Sequence, residues 1–432
     1  MASIDGMPDP HVTRAPKGML DVLPPESSRW ITLVAHFAER AERFGFGLLI
    51  TPIVEHYEVF QRVGESTDVV RKEMYEFVDR GGRRLALRPE GTAPVVRAFV
   101  EHRPVTPWKV WYLAPNFRAE RPQAGRYRQH WQLGVEVIGV DDPEVDVDVI
   151  ALLHGFYAEL GLRDVKLFVN SMGDTESRAR YRDVLLAYWH EHADVIGDEM
   201  ERAEANPLRI LDSKRDDWSD MLERAPQLGE YLTDASAAHF ARVQAGLHAL
   251  GIDFEIAPRL VRGFDYYTST VFEFQSGALD AAQNALGGGG RYDRLAEEMG
   301  GPPAPSIGFG AGIERILLAC EAEGVIPADE AQVDVFVIDA MGEVEAGDEI
   351  LRLLQEVRAC GLSADRAYGG RSVKKQWGVA DRLGARWGVM LAPREMERGH
   401  VAVKDLQSGE QVEVRRDEVA AWLCTRKETT AS

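Results

Sequence analysis

The stretch NFRAERPQAGRYRQHWQLGVEVIG, residues 116–139, decides the fold. Its second half alternates: Gln132, Gly134 and Glu136 fall on one face of an extended chain, and Trp131, Leu133, Val135 and Val137 on the other. The preceding run KVWYLAPNFR, 109–118, sorts in the same way, with Tyr112, Ala114, Asn116 and Arg118 together. A polar, glycine-containing loop joins the two runs, so the pattern predicts a long antiparallel hairpin. One face belongs to a core. The other gathers an arginine, a glutamine and a glutamate on one sheet surface, which by itself is more often a solvated face than a site.

Other segments carry candidate binding groups of their own. RPEGTAP, 88–94, sets Glu90, Gly91 and Thr92 in a proline-flanked turn that suits an ammonium group, or alternatively a helix capped by Thr92. LVRGFDYY, 260–267, places Arg262, Tyr266 and Tyr267 together, typical contacts for planar or phosphorylated ligands, although half-buried tyrosine pairs are also ordinary in strands. GFGAGIERI, 308–316, opens a helix whose Ile313, Ile316, Leu317 and Cys320 face a core, leaving Arg315 in the first turn. A cation there reinforces the positive helix end, which costs stability and suits a bound phosphate. Neither GGGGRYD, 287–293, nor GFGAG fits G-x-G-x-x-G, and no P-loop pattern occurs, so a nucleotide would bind in another way.

Outward from these segments, residues 26–46 carry Trp30, Leu33, Val34, Phe37, Ala38, Ala41 and Phe44 at helical spacing and end at Gly45 and Gly47. LLITPIVE, 48–55, is a β-branched run whose Pro52 assigns it to a sheet edge or an interface. Residues 174–250 turn Ala- and acid-rich and read as a helical insertion, and strand patterns return at 254–275. A polar linker at 325–332 precedes alternating strand and helix patterns, a compact α/β domain. The expected organisation is 1–173 and 253–326 for a split main domain, 174–252 for the insertion, 332–424 for the last domain and 425–432 for a disordered tail.

The whole 432-residue chain carries a formal charge of −20, which argues against indiscriminate coating of nucleic acid. Two basic islands remain: 118–128 has four Arg against one Glu, and 366–404 has nine Lys or Arg against three acids. That pattern suits selective contact with a polyanion. Cys320, Cys360 and Cys424 are scattered and form no CxxC pair, and no segment reads as a signal peptide or a membrane span, so the expected compartment is the cytoplasm.

Taken in order, these segments resemble the class II aminoacyl-tRNA synthetases, and among them the histidyl-tRNA synthetases, from KGML at 17 to VAVKDL at 401–406. ITPIVE, 50–55, is similar to motif 1 of the class, the hairpin with its loop to motif 2, and GFGAGIERI to motif 3. LVRGFDYY and GGGRYDRL are similar to the two peptides particular to the histidine enzymes, and NPLRILDSK, 206–214, to part of their insertion. The resemblance implies an α+β protein, with an antiparallel catalytic sheet, a helical insertion and a C-terminal α/β domain that binds the anticodon.

It also implies ATP and Mg²⁺, L-histidine, tRNA(His) and a homodimer, with no membrane partner and no assigned metal ligands. Arg118 and Arg262 would act on the α-phosphate and Arg315 on the γ-phosphate. Glu90, Thr92 and Gln132 would receive the amino group of histidine, beside Gly91. Glu136, Tyr267 and Tyr292 would surround the imidazole, with Tyr266 lining the pocket, and Arg121 and Gln123 would meet the acceptor end of the tRNA. Two competing readings are a histidine-sensing regulatory paralogue, which would generally lack the anticodon domain, and a nucleic-acid-binding module with a vestigial nucleotide site.

Overall fold

A computed structural model describes residues 13–64, 67, 69–123, 125–211, 213, 215–261, 264–280, 283–325, 333–342 and 346–430. The chain divides into two compact units, 1–327 and 328–432.

In the first unit an eight-stranded sheet is built from β1 (Gly47–Leu48), β5 (Trp108–Phe117), β6 (Gln129–Ile138), β7 (Val165–Ser171), β8 (Glu255–Ile256), β9 (Thr268–Ser276), β10 (Ala285–Arg291) and β11 (Ser306–Gly312). A separate three-stranded antiparallel sheet comprises β2 (Val54–His56), β3 (Tyr75–Val78) and β4 (Arg84–Leu87). The large sheet runs β1-β5-β6-β11-β10-β9-β7-β8. Its six central strands are antiparallel, and only the edge pairs β1–β5 and β7–β8 are parallel.

The predicted hairpin is β5–β6, paired from Trp108–Ile138 to Phe117–Gln129. Two helices cover its apolar face. The first, Glu26–Arg43, buries Leu33, Phe37 and Ala41 at i, i+4 and i+8. It ends sooner than its periodicity suggested, because Gly45 turns the chain at φ +80°. The second, Pro143–Glu159, starts cleanly, with Asp142 accepting from the Glu144 N–H at 2.9 Å and Pro143 at the first position. It buries residues around most of its circumference, among them Val149, Leu152, Leu153 and Phe156.

The insertion has a core of its own, formed by Tyr181, Leu185, Trp189, Ile196, Trp218 and Leu222 with neighbours. Its final helix, Asp234–Ala249, instead sends Phe240, Val243 and Leu247 into the main core, so in packing it belongs to the large sheet's layer. The run 254–275 is strand only at β8 and β9. Between them residues 257–261 and 264–267 carry no strand and include a turn, and Pro258 interrupts ladder pairing.

In the second unit β12 (Val335–Asp339), β13 (Ala364–Arg366), β14 (Trp387–Leu391), β15 (His400–Asp405) and β16 (Gln411–Arg415) lie in the order β13-β12-β14-β15-β16. The first three are parallel, as strand–helix alternation requires, and the last two return antiparallel. Residues 425–430, expected to be a disordered tail, are helical: the helix Val419–Thr430 is anchored by buried Val419 and Leu423 one turn apart. Residues 431 and 432, and 326–332 of the expected linker, lie outside the described residues.

Candidate active site

The polar face of the hairpin is enclosed. A cavity of about 1010 Å³ opens above it, lined further by β9, β10 and β11 of the same sheet and by residues of 257–261 and 264–267. Register fixes the floor: Tyr112 pairs with Gly134 and Ala114 with Gln132, while β11 brings Gly308 opposite Glu136 and Gly310 opposite Gly134. The glycines there make room. A Cβ at Gly308 would lie 1.7 Å from Glu136 Oε2, and one at Gly134 would lie 2.3 Å from the Tyr112 ring. The glycine-rich runs are therefore packing solutions in two adjacent strands.

Glu136 is fully buried. It accepts hydrogen bonds from Thr92 Oγ1 at 2.7 Å, from the Tyr112 hydroxyl at 3.3 Å and from the Tyr292 hydroxyl. Burial pushes its carboxyl up to about 8 in spite of those donors. Neither Glu136 nor Tyr292 is among the residues lining the cavity; both lie just behind Tyr112, Thr92 and Tyr266, which are. Glu136 and Tyr292 therefore form the layer behind the cavity wall. Gln132 does line the cavity, and its Oε1 accepts from Asn116 Nδ2 at 2.6 Å.

Glu90 closes one end. Its oxygens accept the backbone N–H groups of Thr92 at 2.7 Å and Ala93 at 2.6 Å, so Glu90 satisfies the open amides of helix Thr92–His102. The alternative that Thr92 caps this helix is thereby corrected, since its hydroxyl is directed to Glu136. Burial raises the Glu90 carboxyl. Gly91 lies against the Tyr112 ring, 2.4 Å from where a Cβ would be. Tyr266 and Tyr267 stand 4.6 Å apart by ring centroid, with Phe264 stacked on Tyr266 at 5.3 Å.

The other end is cationic. Arg118 donates to the Pro89 carbonyl at 3.0 Å, and Arg315, in the first turn of helix Ile313–Glu323, donates to Gly125 O at 3.1 Å and Ala285 O at 2.9 Å. Both line the cavity, together with Arg126. Burial lowers the affinity of both guanidiniums for their protons without discharging them. Arg262 lies outside the described residues. Arg121 and Gln123 are exposed on the hairpin loop and do not line the cavity.

Sequence reading missed three members of this end. His130, beside Gln132 on the same strand face, is held near 3 by burial and by Arg118, Arg315 and Arg126, so it stays neutral. Arg126 was seen only as part of a basic run. Glu314 accepts the Trp131 N–H at 2.9 Å, and burial lifts it to about 7. The β5–β6 parity would have placed His130; nothing local marks Glu314, whose role appears only when the end of β11 meets β6.

A cavity with a carboxylate and tyrosine end and an arginine end, on an antiparallel sheet, matches known proteins throughout. The family model described as histidyl-tRNA synthetase matches residues 18–316, and an anticodon binding domain matches residues 332–426. The chain belongs to the histidyl-tRNA synthetase family. Within that family it is 47% identical over 419 residues to the histidine–tRNA ligase of Geobacillus kaustophilus, covering 95% of this chain and 98% of that one. To the histidine–tRNA ligase of Bacillus subtilis it is 45% identical over 411 residues, covering 93% and 96%. The apo crystal structure of the Staphylococcus aureus histidyl-tRNA synthetase superposes with a TM-score of 0.81 at 35% identity, over 96% of this chain and all of that one. The histidyl-tRNA synthetase match ends one residue after Arg315, so it includes every residue named in this cavity.

Proposed function

We infer that this chain is a histidine–tRNA ligase: it activates L-histidine with ATP to histidyl-adenylate and transfers the histidyl group to the 3′ end of tRNA(His), releasing AMP and pyrophosphate. The observation that carries this reading is a single cavity with opposite chemistry at its two ends, in a chain that matches the family along nearly its full length.

In the first step a carboxylate oxygen of histidine attacks the α-phosphorus, the bond to pyrophosphate breaks, and negative charge spreads over phosphate oxygens. Arg118 and Arg262 would stabilise that charge more in the transition state than before it, and Arg315 would hold the γ-phosphate. Neutral His130 adds no further positive charge to the arginine end. At the other end Glu90 and Thr92 would receive the amino group of histidine. Tyr267 would meet the imidazole at the cavity wall, and Glu136 would act through the Thr92, Tyr112 and Tyr292 hydroxyls that surround it. In the second step a ribose hydroxyl of the tRNA attacks the activated carbonyl and AMP leaves; Arg121 and Gln123, exposed on the loop, would meet the acceptor end.

Among the described residues no group of three or more His, Cys, Asp or Glu gathers into a metal cage. That donor set fits an Mg²⁺ ion that takes most of its ligands from phosphate and water, with Glu273 at the cavity wall able to add one carboxylate oxygen. The ion would neutralise phosphate charge. The homodimer reading is supported by exposed Leu48, Ile50, Ile53 and Val54 around the segment resembling motif 1. Among the described residues no helix is long and apolar enough to cross a membrane. We assign the enzyme to the cytoplasm, where its substrates are found.

Charging of tRNA(His) with labelled histidine tests this function. Product should require ATP, and Arg118→Ala should lower the rate by roughly 10²-fold or more, the usual effect of removing one transition-state donor. Charging that proceeds at the normal rate in this variant would remove Arg118 from the chemistry.

A further inference from the structure

Asn116 and Gln132 are diagonal neighbours on the hairpin, since Asn116 pairs with His130 and Gln132 with Ala114. Asn116 is fully buried behind the cavity wall, whereas Gln132 lines the cavity. Asn116 Nδ2 donates to Gln132 Oε1 at 2.6 Å, and Asn116 Oδ1 has no hydrogen-bond partner among the described residues. Turning both amides over would leave the NH₂ of Asn116 unpaired instead, and a buried donor without an acceptor is rarer than an under-used carbonyl. A Cβ at Gly310 would meet the Gln132 amide as a whole, 3.3 Å from Nε2 and 3.5 Å from Oε1. The missing side chain at 310 leaves that face of the amide uncovered, and with Oε1 engaged by Asn116 the NH₂ is the end left for a ligand.

We propose that Asn116 is a positioning residue: it holds the Gln132 amide so that its NH₂, and not its carbonyl, faces the amino-acid substrate, where it donates to a carboxylate oxygen. This revises the role that family resemblance gave Gln132. An ammonium group offers only donors, so an NH₂ cannot receive it, and the amino group is left to Glu90 and Thr92. A donor on the carboxylate turns the attacking oxygen towards the arginine end, so Asn116 acts on substrate orientation without touching substrate. The inference rests on the reading that this cavity binds histidine.

The test is histidine-dependent pyrophosphate exchange by the full chain, with kcat and the KM values for histidine and for ATP fitted separately. Histidinol, which keeps the amino group and the imidazole but lacks the carboxylate, serves as a competitive inhibitor. Asn116→Asp can only accept once ionised, so with the exchange run at alkaline pH it draws the NH₂ of Gln132 towards itself and turns the carbonyl to the substrate. Its histidine KM should rise about tenfold or more, the effect of losing one hydrogen bond to a charged group. Its ATP KM and its histidinol inhibition constant should each stay within about threefold. Asn116→Leu, similar in volume, frees Gln132 to rotate and should give a smaller rise with the same selectivity; it carries the test if the Asp variant melts early.

A histidine KM within about twofold of the unmodified value in both variants would overturn the proposal. So would a lower histidine KM in Asn116→Asp, or histidinol weakening in step with histidine. If the unmodified chain shows no exchange with histidine, the function itself fails and this inference falls with it.

Discussion

At the scale of single residues, the site holds two groups whose protonation is displaced in opposite directions, and each leaves a signature in stability. Glu136 keeps its proton up to about pH 8 in the folded chain, whereas an exposed glutamate loses it near 4.3. Between those values the unfolded state binds fewer protons, so stability falls as pH rises. Glu136→Gln should remove this slope, so its unfolding midpoint, measured by urea titration, should gain on the unmodified chain from pH 5 to pH 8. The same variant should raise the histidine KM, because the NH₂ of glutamine cannot accept from a hydroxyl as the Glu136 oxygen it replaces does.

His130 behaves in reverse. Held near 3 against an ordinary 6.5, it makes the unfolded state the better proton binder in that window, so stability rises with pH there. His130→Phe should lessen acid destabilisation between about pH 3 and 6.5 in the same titration. An unchanged acid limb in this variant would show that His130 titrates normally. At this scale the sequence was informative where strand parity applied, which is why Gln132, Glu136 and Asn116 could be grouped on one face. It was silent on Glu90 as a cap and on Glu314, because both roles depend on backbone amides brought from elsewhere by tertiary packing.

At the scale of elements, a buried ion-pair network joins four pieces of the first unit. Arg291, at the end of β10, donates to Asp146 of helix Pro143–Glu159 at 2.6 Å, to Val140 O at 2.7 Å and to Asp293 at 3.1 Å. Asp146 also meets His239 of helix Asp234–Ala249 at 2.8 Å, and Thr268 of β9 donates to Asp293 at 2.9 Å. Tyr292 follows directly, so the network fixes the strand end that presents its hydroxyl to Glu136.

Replacing Arg291 by Met leaves a buried carboxylate uncompensated and should cost about 3–5 kcal/mol in urea unfolding, with much of the loss recovered in Arg291→Met with Asp146→Leu. Equal losses in the single and double variants would mean that the pair is not the source. Elements were legible where one face was apolar, as in helix Glu26–Arg43 and the hairpin. Helix Pro143–Glu159 carries buried residues nearly all round and gives no stripe to read. Residues 425–432 read as a tail because KETT and its neighbours are polar, yet Val419 and Leu423 anchor a helix that runs to Thr430.

At the scale of the whole molecule, an acidic chain of net charge −20 must bind a polyanion through local basic islands. Such contacts release counterions, so charging should weaken steeply as salt rises from 50 to 200 mM, about tenfold or more in the KM for tRNA. Pyrophosphate exchange needs no tRNA and should change far less over the same range. Equal salt dependence of the two reactions would place the electrostatics in the nucleotide site instead. The two-unit division follows from the change of pattern after residue 325, where strand–helix alternation replaces the antiparallel runs, and each unit buries its own core.

The central claim is that one cavity selects histidine and joins it to AMP. Pyrophosphate exchange into ATP, run without tRNA and with each of the twenty amino acids in turn, tests it most directly. The account predicts exchange with histidine alone, since a buried polar pocket leaves its groups unpaired with any amino acid that lacks the imidazole. Exchange driven by a different amino acid, or none at all from folded protein, would contradict it.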